Sequence, residues 1–152
     1  MVEIERKFLI NTDLWKPKGN GTKIKQGYLS VDPERVVRVR IAGEKAFLTI
    51  KGKLSGIVRT ELEYKIPKNE AEVLLKMCLN FPIEKTRFKE RSGNVTWEID
   101  VFEGGNKGLI VAEVELRAEN QSVDLPEWIG DEVSADIRYY NSCLSENPFT
   151  KW

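Results

Sequence analysis

The sequence has no histidine, which removes the commonest general base and the usual ligand of zinc and iron sites. Any metal must therefore be held by oxygen, which favours magnesium, manganese or calcium. There are only two cysteines, and Cys78 and Cys143 lie far apart inside apolar-periodic stretches. They read as reduced core residues of a cytosolic protein rather than as a disulfide. No excess of either charge exists, with 24 basic and 24 acidic residues. That balance argues against a nucleic-acid or membrane-surface binder, which would carry a basic surplus. No apolar run approaches the roughly 18 to 20 residues of a membrane helix. Glu3 and Glu5 interrupt the first residues, so a signal peptide is not expected there. The expected location is the cytoplasm.

What is present is charge, at 32% of the 152 residues, alongside 41% hydrophobic residues. This is a soluble globular composition long enough for one domain over residues 1–152. Strand side chains alternate faces with a period of two, and much of the chain follows that period. Residues 3–8 place Glu3, Glu5 and Lys7 on one face. Residues 26–31 place Gln26 with Tyr28, and residues 36–42 set Arg38 and Arg40 against Val37, Val39 and Ile41. Further strands are expected at 46–51, 58–66, 84–91, 96–101 and 109–117. Residues 70–80 predict the one clear helix, with Asn69 and Glu72 at capping-box spacing and Pro82 as its stop. Short helical turns are expected near Leu14 and from Arg138 to Leu144. The sum is about eight strands joined mostly by hairpins, a mainly β (α+β) protein.

The polar faces are almost wholly ionic. Their rows are Glu3-Glu5-Lys7, Arg38-Arg40, Lys51, Arg59-Glu61-Glu63-Lys65, Lys85-Arg87, Glu98-Asp100 and Glu113-Glu115. On a flat sheet such rows would be a solvated face. In a closed eight-stranded antiparallel barrel they would line a charged lumen, with the apolar faces outward beneath a few helices. Those outer faces would be covered by the chain itself or, in a homodimer, partly by a second copy. Interleaved acids and bases suit a strongly anionic ligand that arrives with a divalent metal. A polyphosphate chain, taken as a small-molecule triphosphate, fits that description.

Taken in order, the motifs resemble those of the CYTH superfamily, the triphosphate tunnel metalloenzymes. They are Glu3-x-Glu5-x-Lys7, Gln26-Gly27-Tyr28-Leu29, Arg38-x-Arg40, Leu48-Thr49-Ile50-Lys51, Arg59-x-Glu61-x-Glu63, Glu84-Lys85-x-Arg87, Glu98-Ile99-Asp100-Val101-Phe102, Glu113-Val114-Glu115 and Asp136-x-Arg138-Tyr139-x-Asn141. The resemblance implies an eight-stranded tunnel and metal-dependent cleavage of a triphosphate to diphosphate and phosphate with Mg²⁺ or Mn²⁺. Carried over position by position, Glu3, Glu5, Glu61, Glu63, Glu113 and Glu115 would hold metal. Arg38, Arg40, Lys51, Arg59, Lys85, Arg87 and Arg138 would bind the triphosphate. Lys7 and Tyr28 resemble a pair that orients or activates water. The superfamily also includes class IV adenylate cyclases and thiamine triphosphatases, and Trp15 or Trp128 would be the stacking residue of the latter. A non-catalytic polyphosphate-binding module is the remaining alternative, though its many carboxylates argue against a pure anion binder.

Overall fold

A computed structural model describes residues 1–152. It contains nine strands: β1 Val2–Ile10, β2 Thr22–Ser30, β3 Arg35–Ala42, β4 Lys45–Gly52, β5 Val58–Ile66, β6 Leu79–Ser92, β7 Val95–Phe102, β8 Ile110–Glu115 and β9 Ile129–Glu132. Every pairing is antiparallel. The spatial order is β5-β4-β3-β2-β6-β7-β8-β1-β9, and β5 also pairs with β1. That last pairing closes the first eight strands of the order into a barrel, with β9 as an addition. Two meanders, β2 to β5 and β6 to β8, meet at the β2–β6 ladder, and β1 closes the remaining gap.

One edge of β1 is divided between two partners. Val2 to Ile4 pair with β5, whereas Phe8 and Ile10 pair with β9. The change falls around Lys7, whose N–H donates to Ser134 Oγ at 2.9 Å and whose carbonyl accepts from Val133 N at 2.8 Å. β9 is too short and too polar to leave an alternating signal, so the sequence pattern shows only a loop there. Gly130 lets it lie close to β1, since a Cβ at that position would sit 3.1 Å from the Leu9 carbonyl oxygen.

Alternation sorts the apolar residues into three clusters. Phe8, Trp97, Ile99, Ala112 and Val114 pack on the outer face of β1, β7 and β8 with Trp15 and Phe88. Val39 and Ala46 pack outside β3 and β4 beneath Ala71. Ala71 belongs to helix α1, Lys68–Lys76. The third cluster is inside. Tyr28, Val36, Phe102 and Val111 share faces with the ionic rows, and Tyr139 and Leu144 cap them. Tyr139 lies in a 3-10 turn, Ile137–Tyr139, and Leu144 lies in helix α2, Asn141–Glu146. The lumen is therefore apolar at one end and ionic along the rest.

Two local expectations change. The helix begins two residues earlier than the spacing predicts and ends at Lys76, before Cys78. No side chain caps it: Pro67 holds the cap position, and its carbonyl accepts from Glu70 N and Ala71 N. Pro82 does not stop the helix. It lies within β6, opposite the register irregularity between Gln26 and Tyr28, where a residue without an N–H costs no ladder bond. The chain leaves the helix through Asn80, at φ 60°, a conformation that asparagine tolerates better than most residues.

Candidate active site

The ionic rows point into the barrel and meet in one cavity of about 90 Å³. It is lined by Glu3, Glu5, Lys7, Tyr28, Arg38, Arg40, Lys51, Arg59, Lys85 and Glu113, together with Ser134, Tyr140 and Asn141 from the C-terminal segment. Strand register brings these groups together. Lys7 lies opposite Glu113, Glu3 opposite Arg59, Tyr28 opposite Arg38, and Lys51 opposite Glu61.

The deep part is a connected set of ion pairs. Asp100, fully buried, accepts from Lys85 Nζ at 2.7 Å and from Arg87 Nε and Nη2 at 2.7 and 2.9 Å. Arg87 also meets Glu98 at 3.2 Å and Glu113 at 3.7 Å, and Lys7 Nζ stands 3.6 Å from Glu113. Lys7 Nζ further donates to the Tyr139 carbonyl at 3.2 Å and lies 5.5 Å from the Tyr140 ring centroid. Nearer the β4–β5 wall, Lys51 joins Glu3 at 3.0 Å and Glu61 at 3.3 Å. Arg38 donates to Thr49 Oγ1 at 3.1 Å and to Glu63 at 3.4 Å.

Several cations are left over. Arg38 Nε is buried without a partner. Arg40 makes no ion pair, its Nε donating instead to the side-chain oxygen Oε1 of Gln26 at 2.9 Å. Arg59 meets only the backbone carbonyl of Gly52. A buried guanidinium nitrogen without a partner, and half-buried guanidinium groups without carboxylates, are costly unless an anion joins them. Burial, with Arg38 and Arg87 nearby, depresses Arg40 to about 10.

The carboxylates show the reverse imbalance. Burial, then Glu113 and Glu3, push Glu5 well above the usual carboxylate range. Burial and Glu61 raise Glu3 despite Lys51, and burial, Glu3 and Glu98 raise Glu115. Glu113 is different. Burial opposes its charge, but Lys7, Arg87 and Lys85 hold it well below the usual range. Nowhere do three carboxylates converge at metal-ligand spacing. Even so, a raised all-oxygen set around Glu3 and Glu5 is chemistry that a hard divalent cation would relieve, and the residues fit such an ion.

The cavity gathers most of the residues that the sequence singles out, but not all. Glu61 reaches it through Lys51, and Arg87 lies behind Glu113. Glu63 is exposed beyond Arg38, while Glu115 sits at the opposite mouth with Lys89, Thr96, Glu98 and Arg117. Arg138 is not brought to the cavity. It is exposed, pairs with Asp136 at 2.7 Å and stacks 4.8 Å from the Trp152 ring. The reason is local: Asp136 caps the 3-10 turn that carries Arg138 and binds its guanidinium as well. Trp15 and Trp128 are also elsewhere, packed edge-to-face on Phe88 and Trp97 on the outer side of the barrel, so neither can stack on a ligand in the lumen.

Asp100, Gln26 and Asn141 were given no role by sequence reasoning, yet each is central. Asp100 stands in the Glu98-Asp100 row and Asn141 in the C-terminal motif. A signal existed in both places, but alternation cannot tell a lumen residue that holds its neighbours from one that meets a ligand.

A family model for the CYTH domain matches residues 1–143. An inorganic triphosphatase of Acetivibrio thermocellus is 46% identical over 148 residues, covering 97% of this chain and 95% of that protein. An inorganic triphosphatase of Nitrosomonas europaea is 35% identical over 151 residues, covering 95% and 97%. The crystal structure of an inorganic triphosphatase superposes with a TM-score of 0.66 at 33% identity, covering 94% of this chain and 93% of the other. A Pyrococcus horikoshii protein, at 22% identity and a TM-score of 0.58 over 78% of this chain and 80% of its own, shares the fold.

Proposed function

The chain belongs to the CYTH domain family, and we infer that it is an inorganic triphosphatase, a phosphoanhydride hydrolase that cleaves tripolyphosphate to diphosphate and phosphate. The observation that carries this reading is the surplus of cationic donors, the buried Arg38 Nε with the half-buried Arg40 and Arg59, in a cavity that also holds carboxylates raised by burial and by one another. A plain anion binder needs only the first group and a plain metal site only the second. A triphosphate with its divalent counter-ion needs both.

Water attacks the terminal phosphorus, the bridging P–O bond breaks, and diphosphate leaves. In phosphoryl transfer the protein's contribution is positioning and charge stabilisation. Arg38, Arg40, Arg59 and Lys85 hold the phosphate oxygens, with Lys51 and Arg87 setting the carboxylates beside them. Lys7 stays protonated: burial opposes its charge, but Glu113 and Glu5 raise its pKa above the ordinary value. It therefore acts as an electrostatic and orienting group and not as a base. Arg138, held by Asp136, takes no part. Glu3, Glu5, Glu61 and Glu113 would hold a metal ion, with Glu63 and Glu115 as the remaining candidates. An ion bound there, Mg²⁺ or Mn²⁺, would supply Lewis-acid neutralisation of the phosphate oxygens and would acidify water. Two free cysteines agree with a reducing cytoplasm.

The test is phosphate release from tripolyphosphate, ATP and thiamine triphosphate with Mg²⁺, with Mn²⁺ and with chelator, alongside cyclic AMP from ATP. Metal-dependent phosphate release from tripolyphosphate is expected. Cyclic AMP formation, or binding without turnover, would overturn the reading.

A further inference from the structure

Four side chains beside the cavity form a chain of hydrogen bonds whose direction is fixed from the Arg40 end. Arg40 Nε can only donate, and Lys85 Nζ donates when protonated. Arg40 donates to Gln26 Oε1 at 2.9 Å, and Lys85 donates to Asn141 Oδ1 at 3.0 Å. The Gln26 orientation is therefore set by a partner that cannot accept, which removes the usual ambiguity of amide side chains, and the Gln26 Nε2 donor sets Asn141 in turn. It follows that Gln26 presents its Nε2 to Tyr28, donating to the phenol oxygen at 2.8 Å and, more weakly, to Asn141 Oδ1 at 3.4 Å. Gln26 is fully buried, and its oxygen and both amide hydrogens are engaged.

This direction has a chemical consequence. The Tyr28 oxygen is already an acceptor, and its hydroxyl hydrogen has no acceptor in the chain. It faces a cavity lined by Arg38, Arg40 and Lys7, groups that gather anionic oxygen. We propose that Gln26 and Asn141 are positioning residues that fix the Tyr28 hydroxyl as a hydrogen-bond donor to a phosphate oxygen and aim Arg40 at the same ligand. The identity of that ligand rests on the triphosphatase reading; the direction of the relay does not. Tyr28 then contributes as a donor to phosphate and not as an acceptor of the water's proton. Asn141, the first residue of α2, ties the relay to the segment that caps the lumen.

A double-mutant cycle with a spectroscopic arm tests this. Tyr28→Phe alone should lower kcat/KM for tripolyphosphate about tenfold, the scale of one hydrogen bond to a charged group. In a Gln26→Met background the same substitution should cost less than about twofold, because the hydroxyl is no longer aimed. Losses that simply multiply would overturn the proposal. Gln26→Glu keeps an acceptor for Arg40 but offers Tyr28 an acceptor in place of a donor. It should lose kcat/KM at least as far as Gln26→Met while unfolding at a similar temperature, and unchanged turnover would also overturn the proposal. The second readout needs no activity. The side-chain amide ¹⁵N–¹H signals of Gln26, assigned by their loss in Gln26→Met, should be protected from exchange and should shift in Tyr28→Phe and Asn141→Ala. Exchange like that of a surface glutamine would refute the relay even if tripolyphosphate is turned over. Protected, coupled signals without triphosphate turnover would leave the relay standing and remove the triphosphatase reading instead.

Discussion

Lys85 Nζ and Asp100 Oδ2 lie 2.7 Å apart with 1% and 0% of their side chains exposed, and the same carboxylate also binds Arg87 through two nitrogens. One buried anion thus serves two buried cations. Asp100 stays ionised below its usual range: burial resists its charge, but Lys85 and Arg87 outweigh that. Lys85 carries the deficit. Burial, with Arg87 and Arg40 adding to it, outweighs Asp100 and depresses Lys85 to about 7.

The sign of the pH effect follows. A free lysine titrates near 10.4, so between pH 7 and about 10 the unfolded chain binds a proton that the folded chain does not. Stability from this group rises with pH across that window and is lowest below pH 7, where the ammonium is buried in full. Thermal unfolding of Lys85→Met should lose this rise, while an unaltered slope between pH 7 and 10 would contradict the assignment.

Glu5 should trade stability for function. Its folded pKa is raised by burial, Glu113 and Glu3. The folded chain therefore binds more protons than the unfolded one above the free value, and stability falls as pH climbs through that range. Glu5→Gln should unfold a few degrees higher than the parent at neutral pH without metal. It should also lose most of the further rise that Mg²⁺ or Mn²⁺ gives the parent protein, together with metal-dependent turnover. A variant less stable than the parent without metal would show that the carboxylate is not under strain.

Lys7→Ala should reduce kcat on the order of 10²-fold, the scale for losing one charge-stabilising donor, while tripolyphosphate and metal still bind by calorimetry. Because Lys7 is held protonated, no loss of activity should track its deprotonation between pH 6 and 9. Undiminished turnover in the variant would remove Lys7 from the mechanism.

Arg40 and Arg138 should separate cleanly. Arg40→Ala removes a guanidinium with no carboxylate of its own and should raise KM about tenfold or more. Arg138→Ala breaks only an exposed pair with Asp136, worth little in water, and should leave KM and kcat within about twofold. A large loss in Arg138→Ala would mean that the 3-10 turn moves towards the cavity during turnover.

The barrel was legible because its lumen is ionic: alternation alone put Glu3, Glu5 and Lys7 on one face and Arg38 and Arg40 on another. Closure was less so, since the β1–β5 pairing joins strands whose faces look equally complete when open. Arg138 lies outside the cavity for a related reason. A motif gives the order of residues, but the competing carboxylate of Asp136, two residues away, decides where the guanidinium turns. Gln26 and Asn141 were passed over because amides carry no charge to mark them, although their value lies in bond direction. The helix start moved because Pro67 supplies the first carbonyl itself, leaving Asn69 nothing to cap.

The position of β1 in the strand order also bears on how the protein folds. Both meanders can form from hairpins between neighbours in sequence, but β1 must find β8 across more than a hundred residues and β5 across more than fifty. Such pairings are slow because loop closure precedes any gain from contact. Glu3, Glu5 and Lys7 ride on that strand, so neither meander alone contains a complete site. In refolding, secondary structure should return before catalysis, and hydrolytic competence should appear only in the slowest kinetic phase.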